Sequence, residues 1–360
     1  MTDLASLAWL ALKGTAVAAL PLAYVALSRD PAKFRKLAWV TAFLTLDLIM
    51  FGSFTRLTDS GLGCPDWPGC YGHSNPLSAG EPIRAAETAQ PTGPVTMTKA
   101  WIEMAHRYFA MGVGLLIIIL AVLAWRARAA VPERSRALAS FALLWVCVQG
   151  AFGALTVTMK LQPVIVTAHL LGGMTLLALL VWLAVRAGPA TRSAPKPRAV
   201  RIVAALALVV LVVQVALGGW VSSNYAVLAC TDFPLCQGAW WPTMDFERGF
   251  ALWRDLGRTA SGEMIPFSAL VAIHWAHRAF AVLVALLLML LVAVIWRRAG
   301  LERAARWLLV VLAVQLATGL TNVVLQWPLA AAVLHSGGAA TLVALLVFIN
   351  VRAAGSAGGR

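Results

Sequence analysis

The sequence predicts an all-α integral membrane protein: two tandem parallel four-helix bundle repeats plus one extra N-terminal transmembrane helix, about nine spans in all. Three observations carry that prediction. The 360-residue chain is 61% hydrophobic and only 12% charged, with a mean hydropathy of +0.81, whereas soluble domains run near about 25% charged. Its basic residues fall on alternate loops. Its second half repeats its first.

Runs of about 20 apolar residues are long enough to cross the hydrocarbon core of a bilayer. They place spans at roughly 5–28, 37–56, 101–125, 137–158, 164–186, 200–222, 267–296, 304–322 and 329–351. The first run lacks a basic leader and exceeds the apolar core of a cleavable signal, so it is expected to persist as a helix. Residues 1–36 then form the extra helix and a basic loop. Residues 37–186 form the first repeat, 187–199 a cytoplasmic linker, 200–351 the second repeat and 352–360 a Gly/Ala/Ser-rich cytoplasmic tail. Lys13 and Asp47 lie on the first two spans at similar depths, about 12–14 Å in by the helical rise, and are expected to pair.

The net charge of +14 raises nucleic acid as a partner, but the placement of the charges excludes it. Nineteen of the 29 lysines and arginines sit on alternate loops or the tail, including Arg126, Arg128, Arg192, Arg297 and Arg360. The other loops carry most of the acids, among them Asp66, Glu81, Asp232 and Asp245. This is the positive-inside pattern of a lipid-bilayer protein. It puts the N-terminus outside and the C-terminus in the cytoplasm, as in a multi-pass protein of the bacterial inner membrane.

A shift of 166 residues brings Gly52 onto Gly218 and Cys64-Pro65-Asp66-Trp67-Pro68-Gly69-Cys70 onto Cys230-Thr231-Asp232-Phe233-Pro234-Leu235-Cys236. The same shift brings Gln149 onto Gln315, Gly153 onto Gly319 and His169 onto His335. Between these blocks Ala105-His106-Arg107 meets Ala276-His277-Arg278, because the second outer loop is five residues longer. Both units run outward first, so the repeats are parallel rather than inverted.

Four of the six histidines occupy this repeat. Each lies about 8–15 Å into a helix that enters from outside, so His106, His169, His277 and His335 share one depth. Imidazole at membrane depth marks function by default. Opposed pairs across a four-helix bundle, where cofactors are held, suit a six-coordinate haem iron. Zinc wants three or four ligands, and in the first half only Glu103 is added to the histidines. The plainer reading, histidines hydrogen-bonded in the core, fits one such residue better than four in register. Arg107 and Arg278 follow two of these histidines and can meet haem propionates or reach to the interface.

The halves differ at one telling position. The first reads Glu103-Met-Ala-His106 and the second His274-Trp-Ala-His277. Residue i−3 shares the helix face of the ligand, so Glu103 is expected to point toward whatever His106 binds, where a carboxylate can stabilise positive charge or move a proton. One site then transforms its ligand while the other carries electrons. The cysteine pairs Cys64/Cys70 and Cys230/Cys236 each bracket five residues in an outer loop, where disulfides are allowed. Cys147 is expected to be a small core hydrophobe, His73 to be solvated, and Trp67, Trp101, Trp220, Trp240 and Trp241 to form an interfacial belt.

Together, Arg56 through Cys70, Glu103-x-x-His106-Arg107, His169, His277-Arg278 and His335 resemble the haem A synthase family, over roughly residues 37–351. The resemblance implies an oxidoreductase that converts the C8 methyl of haem O to the formyl of haem A by successive hydroxylation. It implies that His106 and His169 hold the substrate haem, that His277 and His335 hold a haem b, and that Glu103 sits by the reacting methyl. Cys64–Cys70 and Cys230–Cys236 become disulfides over the haem sites. Haem O synthase and a membrane electron donor become expected partners, and a homo-oligomer stays open. Alignment with His106 favours His277 over His274 as the iron ligand.

Three other readings compete. A dihaem b electron-transfer protein would hold the same haem in both halves. A thiol oxidoreductase would depend on the four loop cysteines. A transporter would want polar groups through the membrane, whereas these histidines lie at one depth.

Overall fold

A computed structural model describes residues 4–128, 131–188, 196–298 and 300–355. Arg192 in the linker and Arg360 in the tail fall outside them. The described residues hold nine helices long and apolar enough to cross a membrane and no strand. They are α1 (Leu4–Leu27), α2 (Lys33–Leu57), α4 (Met97–Arg126), α5 (Glu133–Thr158), α6 (Pro163–Arg186), α7 (Arg198–Ser223), α9 (Phe267–Ile295), α10 (Glu302–Val324) and α11 (Leu329–Ala354). Two short helices complete the set, α3 (Gly80–Ala89) and α8 (Phe246–Gly249), each in a connecting loop. The spans match the hydropathy expectation to within a few residues, because the apolar runs are bounded by proline and basic residues. Pro132, Pro197, Pro266 and Pro328 occupy the N-cap positions of α5, α7, α9 and α11, where a missing N–H costs nothing.

The chain forms two compact units. One runs up to Leu161 and includes Thr175–Gly188; the other takes Gln162–Met174 and the chain after Gly188. Helix α6 is thus shared, its first half belonging to the second unit. In the first unit α4 packs on α1, α2 and α5. In the second, α9 and α11 each pack on both α7 and α10, which makes a four-helix bundle with α9 and α11 at opposite corners.

Backbone detail repeats with the sequence. Helices α5 and α10 close alike, with Leu161 N–H donating to Thr156 O at 2.8 Å and Trp327 N–H to Asn322 O at 2.9 Å. Both closures need two left-handed residues, Lys160 and Leu161 in one and Gln326 and Trp327 in the other. The Trp67-Pro68 and Phe233-Pro234 peptide bonds are both cis.

The extra helix α1 joins α4 through two glycines. A Cβ on Gly14 would lie 2.7 Å from Met111 Cβ, and one on Gly112 would lie 2.6 Å from Val17 Cγ1. Small residues let helix backbones approach where no hydrophobic drive separates helix from lipid. Lys13 does not pair with Asp47. Its ammonium donates to Ser74 O at 3.0 Å and Ser74 Oγ at 3.1 Å, and lies 5.3 Å from the Tyr108 ring centre. The loop after α2 folds back over α1, so the lysine meets a loop carbonyl before it can reach a neighbouring helix. Gly112→Ala is expected to wedge α1 away from α4 at a cost of about 1–3 kcal/mol, the usual range for overpacking. A thermal-melt series in detergent checks this, and an unchanged melting temperature would refute the close crossing.

Two further expectations are corrected. Cys147 is exposed rather than in the core, because α5 is apolar on nearly all sides and turns this face outward. Trp220 is only 5% exposed and is not part of a belt. Its indole N–H donates to Gly249 O at 2.9 Å, and the Arg254 guanidinium lies 5.6 Å from its ring. Trp67, Trp101, Trp240 and Trp241 are exposed as expected, and so is His73.

Candidate functional site: disulfide hairpins seated on histidine helices

Each half carries a disulfide hairpin. Cys64–Cys70 and Cys230–Cys236 are bonded, with Cα separations of 4.9 and 4.7 Å. The turn after each second cysteine uses two left-handed residues, Tyr71-Gly72 and Gln237-Gly238, which suits a tight hairpin. One aspartate clamps each turn. Asp66 accepts from the N–H groups of Tyr71 at 2.6 Å and Gly72 at 2.8 Å; Asp232 accepts from Gln237 at 2.8 Å and Gly238 at 2.9 Å.

The Gly238 N–H, helped by the Gln237 N–H and the charge of Arg278, holds the Asp232 carboxyl below the ordinary carboxylate range against the opposing effect of desolvation. A carboxyl depressed in the folded state stabilises above its unfolded pKa, about 3.9, and that contribution fades as pH falls through the lower folded value. Amide protection at Gln237 and Gly238 should therefore persist at neutral pH and drop in strong acid. In Asp232→Asn the acid-dependent part should vanish; an identical pH profile in that variant would remove the clamp from the account.

Each hairpin is fastened to the histidine-bearing helix beneath it. In the first half Cys64 N–H donates to Glu103 Oε2 at 2.7 Å, and Arg107 Nη2 donates to Glu103 Oε1. Arg107 Nη1 also donates to the carbonyls of Asp66, at 2.9 Å, and of Gly69. In the second half Cys230 N–H donates to His274 Nδ1 at 3.2 Å, while Arg278 donates to Asp232 O at 2.9 Å and Leu235 O at 3.0 Å. Glu103 and His274 thus perform the same anchoring with different chemistry, and both are buried, at 4% exposure each. Gly63 permits the seating, since a Cβ there would lie 2.5 Å from the Lys99 carbonyl carbon.

One helical turn further on, the histidine rings lie against glycines of a neighbouring helix. A Cβ on Gly52 would come within 3.1 Å of His106 Cε1, one on Gly218 within 3.1 Å of His277 Cε1, and one on Gly319 within 3.1 Å of His335 Cε1. Phe51 meets the His106 ring edge-on at 5.7 Å. His277 and His335 stand on the opposite-corner helices α9 and α11. His106 belongs to the first unit. His169 belongs to the second, where its Nδ1 is buried with no hydrogen-bond partner among the described residues.

These observations fit haem as the bound group. Three of the imidazoles are held by close glycine contact, and His169 keeps an unpartnered Nδ1 among the described residues. Among the described residues no group of three or more His, Cys, Asp or Glu could hold a bare metal ion. Sequence reasoning missed Gln214 and Thr318. Gln214 Nε2 lies 3.1 Å from His277 Nδ1, and Thr318 Oγ1 lies 3.1 Å from His335 Nδ1. The signal was there: two polar side chains on apolar helices, at positions where the first repeat has Leu48 and Phe152.

Nine apolar spans among the described residues, with a disulfide hairpin seated on a helix that bears a half-buried histidine in each half, define a multi-pass membrane scaffold for a bound group, and the chain matches the model of one such class. Residues 35–347 fit the family described as cytochrome oxidase assembly protein. The chain is 40% identical over 321 residues to the haem A synthase of Shewanella oneidensis, covering 88% of this chain and 96% of that protein. It is 30% identical over 343 residues to that of Sphingopyxis alaskensis (89% and 92%), and 29% over 315 residues to that of Halalkalibacterium halodurans (84% and 91%). The chain belongs to the haem A synthase family of cytochrome oxidase assembly proteins.

Proposed function

We propose that this chain makes haem A by oxidising the C8 methyl of haem O to a formyl group through successive hydroxylation. The observation that carries the reading is the unlike pair Glu103 and His274, set in otherwise matching hairpin-and-histidine frames. A carboxylate is placed over one histidine and an imidazole over the other, so the two halves are suited to different work.

In this reading His106 and, by its repeat match to His335, His169 are the imidazoles for the substrate haem. His277 and His335 hold a haem b, which when bound supplies one-electron redox chemistry. Converting methyl to formyl is a four-electron oxidation: two hydroxylations give a geminal diol that loses water, so the reaction consumes an external oxidant and an oxygen source. Glu103 is held by Cys64 N–H and Arg107, so it is a fixed negative group rather than a mobile one. A preorganised charge of this kind favours positive charge developing at the adjacent carbon. Arg107 and Arg278 fasten the hairpins and bring positive charge for the haem propionates. Helices α2 and α7 run outward, with the disulfide hairpins on the outer face of the inner membrane and the C-terminus in the cytoplasm. Haem O synthase, as the source of the substrate, and a membrane electron donor are the partners we expect.

The test is haem extraction and mass analysis of the purified protein, made in a bacterium that also makes haem O. Haem A or its hydroxylated precursor alongside haem b is the expected result. Haem b alone, despite available haem O, would overturn the reading in favour of a dihaem b electron carrier.

A further inference from the structure

The second bundle holds more than two imidazoles; it also braces both rings and sets the tautomer of one. Thr318 Oγ1 donates to Val314 O at 2.9 Å, the back-bond of a threonine in a helix. With its one proton directed to that carbonyl or to Gln315 O at 3.1 Å, the hydroxyl accepts from His335 Nδ1, 3.1 Å away. His335 therefore carries its proton on Nδ1 and its lone pair on Nε2, where the Gln315 amide donates at 3.3 Å. Gln214, on α7, brings its amide to 3.1 Å from His277 Nδ1 and 3.2 Å from His277 O. Its Oε1 is buried with no hydrogen-bond partner among the described residues. With its amide shared between the ring Nδ1 and the backbone carbonyl, Gln214 fixes where the His277 ring sits.

We propose that Thr318 and Gln214 are positioning residues that orient His335 and His277 for one tightly retained haem, Thr318 also leaving the His335 Nε2 lone pair for the iron. Metal-bound histidines commonly give the other ring N–H to such an acceptor, which fixes the tautomer and raises ligand basicity. Gln315 has a counterpart in Gln149, but Gln214 and Thr318 align with Leu48 and Phe152, whose side chains can neither donate nor accept. The second half thus has a device for holding a haem that the first lacks, as expected if one haem is resident and the other passes through. The inference rests on the assignment of His277 and His335 as haem b ligands.

The experiment uses the full chain purified with its haem. Haem b per protein after a detergent wash, the haem b midpoint potential and its low-spin spectrum are measured for Thr318→Val, Thr318→Ser and Gln214→Leu. Thr318→Val and Gln214→Leu should weaken haem b retention by about 10–100-fold, the usual effect of losing such a partner. Thr318→Val should also raise the potential, because a less basic imidazole stabilises ferric iron less. Thr318→Ser, which keeps the hydroxyl, should restore both. Wild-type retention and potential in Thr318→Val would overturn the proposal. His335→Ala separates the two levels: a wild-type low-spin haem b there would instead refute the ligand assignment beneath it.

Discussion

Glu103→Gln is expected to keep the protein folded and haem-loaded while cutting haem A formation by about 10²–10⁴-fold, the scale of a lost charge or proton group at a reacting centre. Glutamine retains a side-chain oxygen for Cys64 N–H, which Glu103 now accepts at 2.7 Å. What it loses is the negative charge, and it turns an NH₂ toward Arg107. Alanine is a poorer test of chemistry. It leaves the Arg107 guanidinium, whose side chain is 10% exposed, beside an emptied site, and breaking a buried pair costs about 3–5 kcal/mol. Glu103→His is the sharpest comparison, since it installs the group found at His274. The hairpin anchor should survive and turnover should not. Haem A per total haem by mass analysis, with a melting curve for each variant, reads both effects. Wild-type turnover in Glu103→Gln would remove the carboxylate from the chemistry.

Most of the architecture was legible because a bilayer imposes a one-dimensional rule. Apolar runs of a set length must be helices, so nine spans were read off with only their ends uncertain. The duplication made His106, His169, His277 and His335 stand out, since chance does not align imidazoles and glycines together. Two of the misreadings share a cause. Burial of Trp220 and the bond from Lys13 to Ser74 depend on loops folding back over helix ends, and periodicity within a helix says nothing about what covers its end. Cys147 failed differently: α5 is apolar all round, so no stripe tells which side faces protein. The role of Gln214 and Thr318 was hidden because attention went to what the repeats share, and these residues matter where the repeats differ.

Replacing His335 by alanine separates a haem ligand from a histidine that merely stabilises a bundle. As a structural residue His335 contributes hydrogen bonds to Thr318 and Gln315, worth about 0.5–1.5 kcal/mol each. Its loss would then lower the melting temperature modestly and leave the haem content alone. As a ligand it completes one haem site, and the expected result is at least a tenfold fall in haem b affinity, about 1.4 kcal/mol, with the low-spin spectrum lost. His277→Ala should do the same. Gly218→Val and Gly319→Val should follow in weaker form, because a Cβ at either position already comes within 3.1 Å of the ring it supports. The glycine variants keep every ligand residue, so haem loss in a variant that still folds reports imidazoles pushed out of position. Haem content unchanged across all four, with melting temperatures lowered, would return these histidines to the core and withdraw the haem b site from the second half.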